Sequence, residues 1–307
     1  MNYRNIGQLS VTTVGLGCNN FGWHIDEAQS RRVIDAALDH GINHLDTAEL
    51  YGEGASETFL GHALGNRRQD VILATKFGLG TNARPETVAR SAEASLGRLR
   101  TDYIDLYYLH RPDPATPIAD TLGAMSRLVE AGKVREIACS GFTAAQLREA
   151  ATAKSVSYFA AVQNEYSLLH RDPETNGVLD ASGELGLAFV PYFPLKSGLL
   201  TGKYRRGKTA PAGSRLGGKE GSKFTGKGNE LLTEANLDKV ERLATFAEDH
   251  DHTLLDLAFA YLLAHGTVAS VIAGATKESQ IVGNIAAAEW AMQEEELAAL
   301  RPVLGAL

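Results

Sequence analysis

Cysteine is scarce: the chain has only two, Cys18 and Cys139, in 307 residues. They lie far apart and in no zinc-like spacing, which excludes a disulfide framework and makes a reducing compartment the natural setting. No apolar run reaches the roughly 18 residues of a membrane-spanning helix, so none is expected. The first residues lack the basic start and apolar stretch of a signal peptide, and a cytoplasmic location is expected. Positive charge is in deficit, with 30 Lys and Arg against 37 Asp and Glu and a formal net charge of −7. Nonspecific binding to nucleic acid or to an acidic membrane surface is therefore not expected. His44 and His110 lack partner histidines at ligand spacing, so no metal is expected. What is present is ordinary globular material, 44% hydrophobic and 22% charged, which argues against disorder.

Periodicity organises the chain. Tyr3 to Ile6 and Val11 to Thr13, across Gly7-Gln8-Leu9-Ser10, read as a small hairpin. Strand candidates follow at Val14 to Gly17, Ile42 to Asp46, Val71 to Thr75, Ile104 to Leu109, Val134 to Cys139, Ala160 to Gln163, Leu187 to Tyr192 and Val268 to Ala273. Helical stretches separate them. Asp26 caps the first, whose apolar positions Val33, Ile34, Ala37 and Leu38 recur at helical spacing before Gly41 stops it. The others are Ser56 to Leu64, Pro85 to Leu99, Ile118 to Ala131, Ala144 to Ala153, Gly177 to Glu184, Glu234 to Asp249, Leu254 to His265 and Ser279 to Ala288, with an extra C-terminal helix at Gln293 to Leu300.

Strand alternating with helix implies parallel pairing, because a parallel strand needs a crossover. Eight such units predict an α/β fold, a (β/α)₈ TIM barrel with an N-terminal β-hairpin and extra C-terminal helices, spanning residues 1–307 as a single domain. An open doubly wound sheet is the competing architecture. Its Gly-x-Gly-x-x-Gly fingerprint is absent, since Gly15, Gly17 and Gly22 have the wrong spacing.

One stretch breaks the rhythm. Between Leu195 and Glu230, Lys203, Arg205, Arg206, Lys208, Arg215, Lys219, Lys223 and Lys227 accompany a single internal acid, Glu220. It reads either as a solvated loop or as a lid over an anionic cofactor, placed where barrels often hold phosphate.

A barrel's active site lies at the C-terminal ends of its strands. There the second strand ends in Asp46 with Tyr51 in its loop, the third in Lys76 and the fourth in His110. Taken singly, each has an ordinary reading: a helix cap, a loop aromatic, a surface charge, a core histidine. Placed together they point to chemistry. Asp and Lys nearly buried in a barrel mouth require each other, because unpaired buried charge is costly. An ammonium beside a phenol favours phenolate and lowers the tyrosine pKa, so that Tyr51 can exchange a proton with an alcohol oxygen.

These residues sit in longer motifs. Asp46-Thr47-Ala48-Glu49-Leu50-Tyr51-Gly52-x-Gly54-x-Ser56-Glu57 resembles the signature of the aldo-keto reductases, as do Leu109-His110-x-Pro112-Asp113 and Pro194-Leu195-x-x-Gly198-Leu199-Leu200-x-Gly202-Lys203-Tyr204. The likeness runs over essentially the whole chain. It implies a barrel that moves a hydride between NADPH and the carbonyl of an aldehyde, ketone or sugar. By motif match the catalytic residues are Asp46, Tyr51, Lys76 and His110. By loop position Trp23 and His24, after the first strand, are expected to reach the substrate pocket, with Tyr51 and His110 also toward the substrate.

The resemblance also implies cofactor contacts. Ser140 and Gln163 match positions that hold the nicotinamide carboxamide, and Tyr192 the aromatic that stacks on the ring. Phe193, Pro194, Leu195, Ser197, Gly198, Leu200 and Lys203 match the pyrophosphate-side loop. Gly274, Thr276, Lys277, Gln280 and Asn284 match the segment around the adenosine and its 2′-phosphate, and Gly17, Cys18, Asn19 and Asp46 complete the set. Two departures stand out. Most members carry Ser-Asn after the fifth strand, where this chain has Ser140-Gly141. Many carry arginine where it has Thr276, so either Lys277 supplies the charge or the preference for NADPH over NADH is relaxed. Two other readings stay open within this likeness: an aldose 1-dehydrogenase working oxidatively, and a nonenzymatic regulator like the potassium-channel β subunits. The oligomeric state is not legible.

Overall fold

The structure is a computed structural model, and it describes residues 1–153, 157–212, 214–217 and 230–305. Strands β1 (Tyr3–Ile6) and β2 (Leu9–Thr12) pair antiparallel across Gly7-Gln8. The second strand starts at Leu9 because that side chain is buried with Ile6 and Val11. These three pack against inward residues of the barrel, Ala74, Leu106, Tyr108, Ala138 and Ala161, so the hairpin plugs its N-terminal end. Arg4 fastens the plug by donating to the carbonyls of Leu263 (2.7 Å), His265 (3.1 Å) and Val268.

Eight parallel strands follow: β3 (Val14–Gly17), β4 (His44–Asp46), β5 (Ile72–Phe77), β6 (Ile104–Leu109), β7 (Val134–Ser140), β8 (Phe159–Glu165), β9 (Ala188–Tyr192) and β10 (Val271–Gly274). They are ordered β10-β3-β4-β5-β6-β7-β8-β9. A bridge between Phe189 and Val268 joins the two ends, with the Phe189 N–H on Thr267 O (2.7 Å) and the Ala269 N–H on Phe189 O (2.9 Å). The fold is the expected (β/α)₈ barrel. The last strand begins at Val271 rather than Val268 because residues 267–269 serve this closing bridge, and only from Val271 does the chain pair with β3.

The helices are α1 (Glu27–Asp39), α2 (Ala55–Leu64), α3 (Pro85–Leu99), α4 (Ile118–Glu130), α5 (Ala144–Thr152), α6 (Asp172–Thr175), α7 (Val178–Glu184), α8 (Glu234–Glu248), α9 (Leu254–Leu263), α10 (Glu278–Ala287) and α11 (Glu294–Gly305). Local chemistry sets several starts. Asp26 caps α1 by accepting the Gln29 N–H at 2.8 Å, Pro85 opens α3, and Thr253 caps α9. Helix α11 continues past Leu300 through Pro302, because Leu304 buries beside Leu300 on the same face. Among the described residues no helix is long and apolar enough to cross a membrane.

Strand parity places the site. Residues two apart on a strand share a face. Ala74, Leu106, Ala138, Ala161 and Val190 face the barrel interior. The same parity carries Lys76, Tyr108, Ser140, Gln163 and Tyr192 inward at the C-terminal ends, and His110 continues the β6 series.

Candidate active site

Lys76 has no exposed surface, and Asp46 is 3% exposed. The Lys76 Nζ donates to Asp46 Oδ1 at 2.5 Å and to the Thr47 carbonyl at 2.8 Å. The second carboxylate oxygen, Oδ2, accepts from Gln163 Nε2 at 2.9 Å. A buried charge pair is favourable only when its partners are held by further hydrogen bonds, and here the Thr47 carbonyl and Gln163 each add one. Burial works to lower the Lys76 pKa, but Asp46 overcomes it and the net shift is upward, so the ammonium stays charged.

Tyr51 opens the short turn Tyr51–Gly54 that leads into α2. The Lys76 Nζ lies 5.4 Å from its ring centroid, the His110 ring sits edge-on at 5.9 Å, and the Trp23 ring lies at 5.8 Å. The sequence reading has Lys76 lowering the Tyr51 pKa. In the protein the net direction is upward: burial raises it, Lys76 pulls it back, and Asp46 adds to the rise. The ammonium's field is largely cancelled by the carboxylate it touches. The outcome is a protonated phenol, the form a proton donor needs.

His110 is held neutral. Burial, the Lys76 ammonium and the Arg111 guanidinium push its pKa down to about 2. It therefore presents a neutral imidazole that can donate or accept one hydrogen bond, but not a transferable second proton.

Around this group the structure gathers the other expected residues. Ser140 and Gln163 pair in register at the ends of β7 and β8. Tyr192 ends β9, with the Phe193 ring edge-on at 5.3 Å. Phe193, Lys196 and Ser197 take positive φ of 52°, 43° and 57°, and Gly198 takes 91°. The turn is fixed from within, the Lys196 N–H donating to Phe193 O at 2.9 Å and the Gly198 N–H to Leu195 O at 2.8 Å. Gly17 and Gly274 pair in adjacent strands, and a Cβ on Gly274 would meet the side chains of Asn20 at 3.1 Å and Asn19 at 3.3 Å. Gln280 caps α10, its Oε1 accepting from the Thr276 and Lys277 N–H groups at 2.7 and 3.2 Å, while Lys277 is exposed. Asn284 is buried on α10, and Pro194 and Leu195 lead into the positive-φ run. The Cys18 and Leu200 side chains lie in the apolar core, so both face the site only through backbone.

The basic loop divides. Arg205 pairs with Glu241 at 3.0 Å, and Arg206 with Glu234 at 2.9 Å and Asp238 at 2.7 Å, all on α8. These two arginines are bound by acids distant in sequence and are not free to cover an anion. Arg215 instead donates to Asn20 Oδ1 at 3.0 Å, and the Leu216 N–H to the Tyr204 hydroxyl at 3.1 Å, so this part of the loop reaches the turn after β3. Lys203 lies against Gly198 and over the Tyr204 ring at 5.2 Å. Lys219, Glu220, Lys223 and Lys227 lie outside the described residues.

Three residues escaped the sequence reading. Arg111 donates to Ser140 Oγ at 3.4 Å and to the Tyr192 hydroxyl at 3.0 Å. Asn164 accepts the Gly141 N–H at 2.8 Å and donates to Phe142 O at 2.9 Å, which fixes the turn after β7. Gln29 donates to Thr276 O at 3.1 Å. Arg111 carried the best signal, since it directly follows His110.

Comparison with known proteins gives the family and the fold. The model of the aldo/keto reductase family matches residues 13–304. A probable voltage-gated potassium channel subunit beta of Arabidopsis thaliana is 34% identical, over 94% of this chain and 92% of that protein. The L-glyceraldehyde 3-phosphate reductase of Escherichia coli K12 is 31% identical, over 94% and 87%. Among solved structures, the glycerol dehydrogenase of Gluconobacter oxydans superimposes with a TM-score of 0.86 at 28% identity, covering 99% of this chain and 95% of that one. The holo form of an aldo-keto reductase of Bacillus halodurans gives 0.80 at 32% identity, covering 99% and 96%.

Proposed function

The chain belongs to the aldo/keto reductase family, and on that premise we propose that Asp46, Tyr51, Lys76 and His110 carry out NADPH-dependent reduction of a small aldehyde, ketone or sugar carbonyl. The observation that carries the assignment is the convergence of a protonated phenol, a paired ammonium and a neutral imidazole at one barrel mouth.

The residues present fit a nicotinamide dinucleotide. Ser140 and Gln163 offer side-chain partners to the carboxamide, and Tyr192 offers a flat face to the ring. The turn from Phe193 to Gly198 brings the Lys203 ammonium against Gly198, where it suits the pyrophosphate. Glycine at 274 lets the Asn19 and Asn20 side chains come close to the end of β10. Lys277 at the start of α10 supports NADPH over NADH, although Gln280 already takes the Thr276 and Lys277 N–H groups there. The preference is therefore moderate. Bound at this site, the cofactor supplies the hydride that reaches the carbonyl carbon.

The protein supplies the proton and the electrostatics. Tyr51 gives its hydroxyl proton to the carbonyl oxygen, completing the alcohol as the C–O double bond is lost. Lys76, fixed by Asp46 and Thr47, stabilises the phenolate left behind. Neutral His110 hydrogen-bonds and polarises the same oxygen. Trp23 narrows the mouth beside Tyr51 and lines the substrate side. Reversed, the same residues oxidise an alcohol. A channel-β-like regulator needs none of this proton machinery, and the intact set favours the enzyme. The test mixes protein, NADPH and a panel of aldehydes, ketones and aldoses, following nicotinamide absorbance. Consumption dependent on substrate supports the assignment, and none across the panel refutes it.

A further inference from the structure

Gly141 and Arg111 occupy one another's space. Gly141 has φ +70°, and a Cβ built on it would lie 2.3 Å from Arg111 Nη1 and 3.0 Å from its Cδ. No side chain coexists with the guanidinium where it now lies. The guanidinium is held from below by Ser140 Oγ (3.4 Å) and the Tyr192 hydroxyl (3.0 Å), with its carbon 5.5 Å from the Tyr192 centroid. It has no ion-pair partner among the described residues. Five N–H donors are fixed in a planar fork, and these contacts use only two of them. The turn beneath is rigid, because the Gly141 N–H donates to both Gln163 O (3.0 Å) and Asn164 Oδ1 (2.8 Å).

The geometry points to Arg111 as the donor that holds the nicotinamide carboxamide oxygen, in the place Gly141 leaves free. This rests on the reductase reading above. Ser140 and Gln163 bound the carboxamide position in that reading, and Arg111 is the charged donor that touches Ser140. A guanidinium from the loop after β6 thus replaces the side chain missing after β7. The substitution is reciprocal: glycine at 141 admits the arginine, and the arginine restores the donor. Arg111 is therefore a specificity-determining residue for the nicotinamide half of the cofactor.

The test compares wild type, Arg111→Met, Gly141→Asn and the double variant. Whichever of NADPH and NADH binds more tightly is titrated by fluorescence, alongside the fragment lacking nicotinamide, 2′,5′-ADP or ADP. Arg111→Met is expected to weaken the whole cofactor roughly 10- to 100-fold, the worth of a hydrogen bond from a charged donor, and to leave the fragment unchanged. Gly141→Asn, which tolerates positive φ, is expected to weaken the cofactor by displacing Arg111, and the double variant to recover most of the loss. If Gly141→Asn fails to fold, Arg111→Met and its split between cofactor and fragment decide alone. Unchanged cofactor affinity in Arg111→Met, or equal loss for the fragment, overturns the proposal. So does a defect confined to kcat/KM for carboxylate-bearing aldehydes, which places Arg111 on the substrate. A folded wild type that binds neither cofactor refutes the reductase reading itself, a result distinct from all of these.

Discussion

Lys76 and Asp46 form a buried ion pair in which both partners are anchored elsewhere as well: the ammonium also bonds the Thr47 carbonyl, and the carboxylate also accepts from Gln163. Removing either partner leaves an uncompensated charge inside the barrel.

Asp46→Asn and Lys76→Met should each destabilise the protein by about 3–5 kcal/mol, the usual cost of breaking a buried pair. The double variant should be more stable than either single one, because no unpaired charge remains. Urea unfolding of the three proteins checks this. Additive losses in the double variant would show that the two groups do not depend on each other.

Two buried histidines set an acid limit. His44, inside the barrel, has its pKa lowered by burial to about 4, and His110 is lowered to about 2. Both stay neutral in the folded chain while the unfolded chain binds protons near the ordinary histidine value of 6.5. The unfolded state therefore holds more protons between about pH 6.5 and 4, and stability falls as the pH drops through that window. Each histidine contributes a slope of about 1.4 kcal/mol per pH unit there. Denaturant midpoints for wild type and His44→Gln between pH 4.5 and 7.5 measure it, with a shallower slope expected in the variant. Equal slopes would show that His44 is protonated in the folded protein.

Lys277→Ala should weaken NADPH on the order of 5-fold, as expected of an exposed ion pair, and leave NADH unchanged. Dissociation constants for both cofactors decide it. Equal effects on the two would place the 2′-phosphate elsewhere.

Gly61 on α2 lies against the backbone of α3. A Cβ there would come within 2.5 Å of Arg98 O and 2.8 Å of the Leu99 carbonyl carbon. Backbone cannot retreat as a flexible side chain can, so Gly61→Ala should cost about 1–3 kcal/mol despite alanine's better helix propensity. Thermal unfolding tests this, and a stabilised variant would contradict the close approach.

The barrel was legible because short, mostly apolar strand runs, buried on both faces, alternate with stretches of helical period, and because Asp26, Pro85 and Gly41 punctuate them. Errors fell where tertiary contacts decide. Leu9 joins the hairpin by filling the barrel floor, and residues 267–269 leave β10 to close the barrel. That Asp46, Tyr51, Lys76 and His110 meet at one barrel mouth was readable from strand ends and motif. Their charge states were not, since the Tyr51 shift is the outcome of burial against two opposing charges. The roles of Arg205 and Arg206 depend on acids about 30 residues away on α8, and that of Arg111 on the glycine beside it in space. Neither relation is visible along the chain.

In the proposed mechanism Tyr51 is the proton donor. Tyr51→Phe keeps the ring that packs at 5.8 Å from Trp23 and 5.9 Å from His110, and removes only the hydroxyl. Steady-state reduction of an aromatic aldehyde, measured with the cofactor dissociation constant on the same protein, tests it most directly. Turnover should fall roughly 10²–10⁴-fold with cofactor affinity unchanged. Turnover within a few-fold of wild type would contradict it.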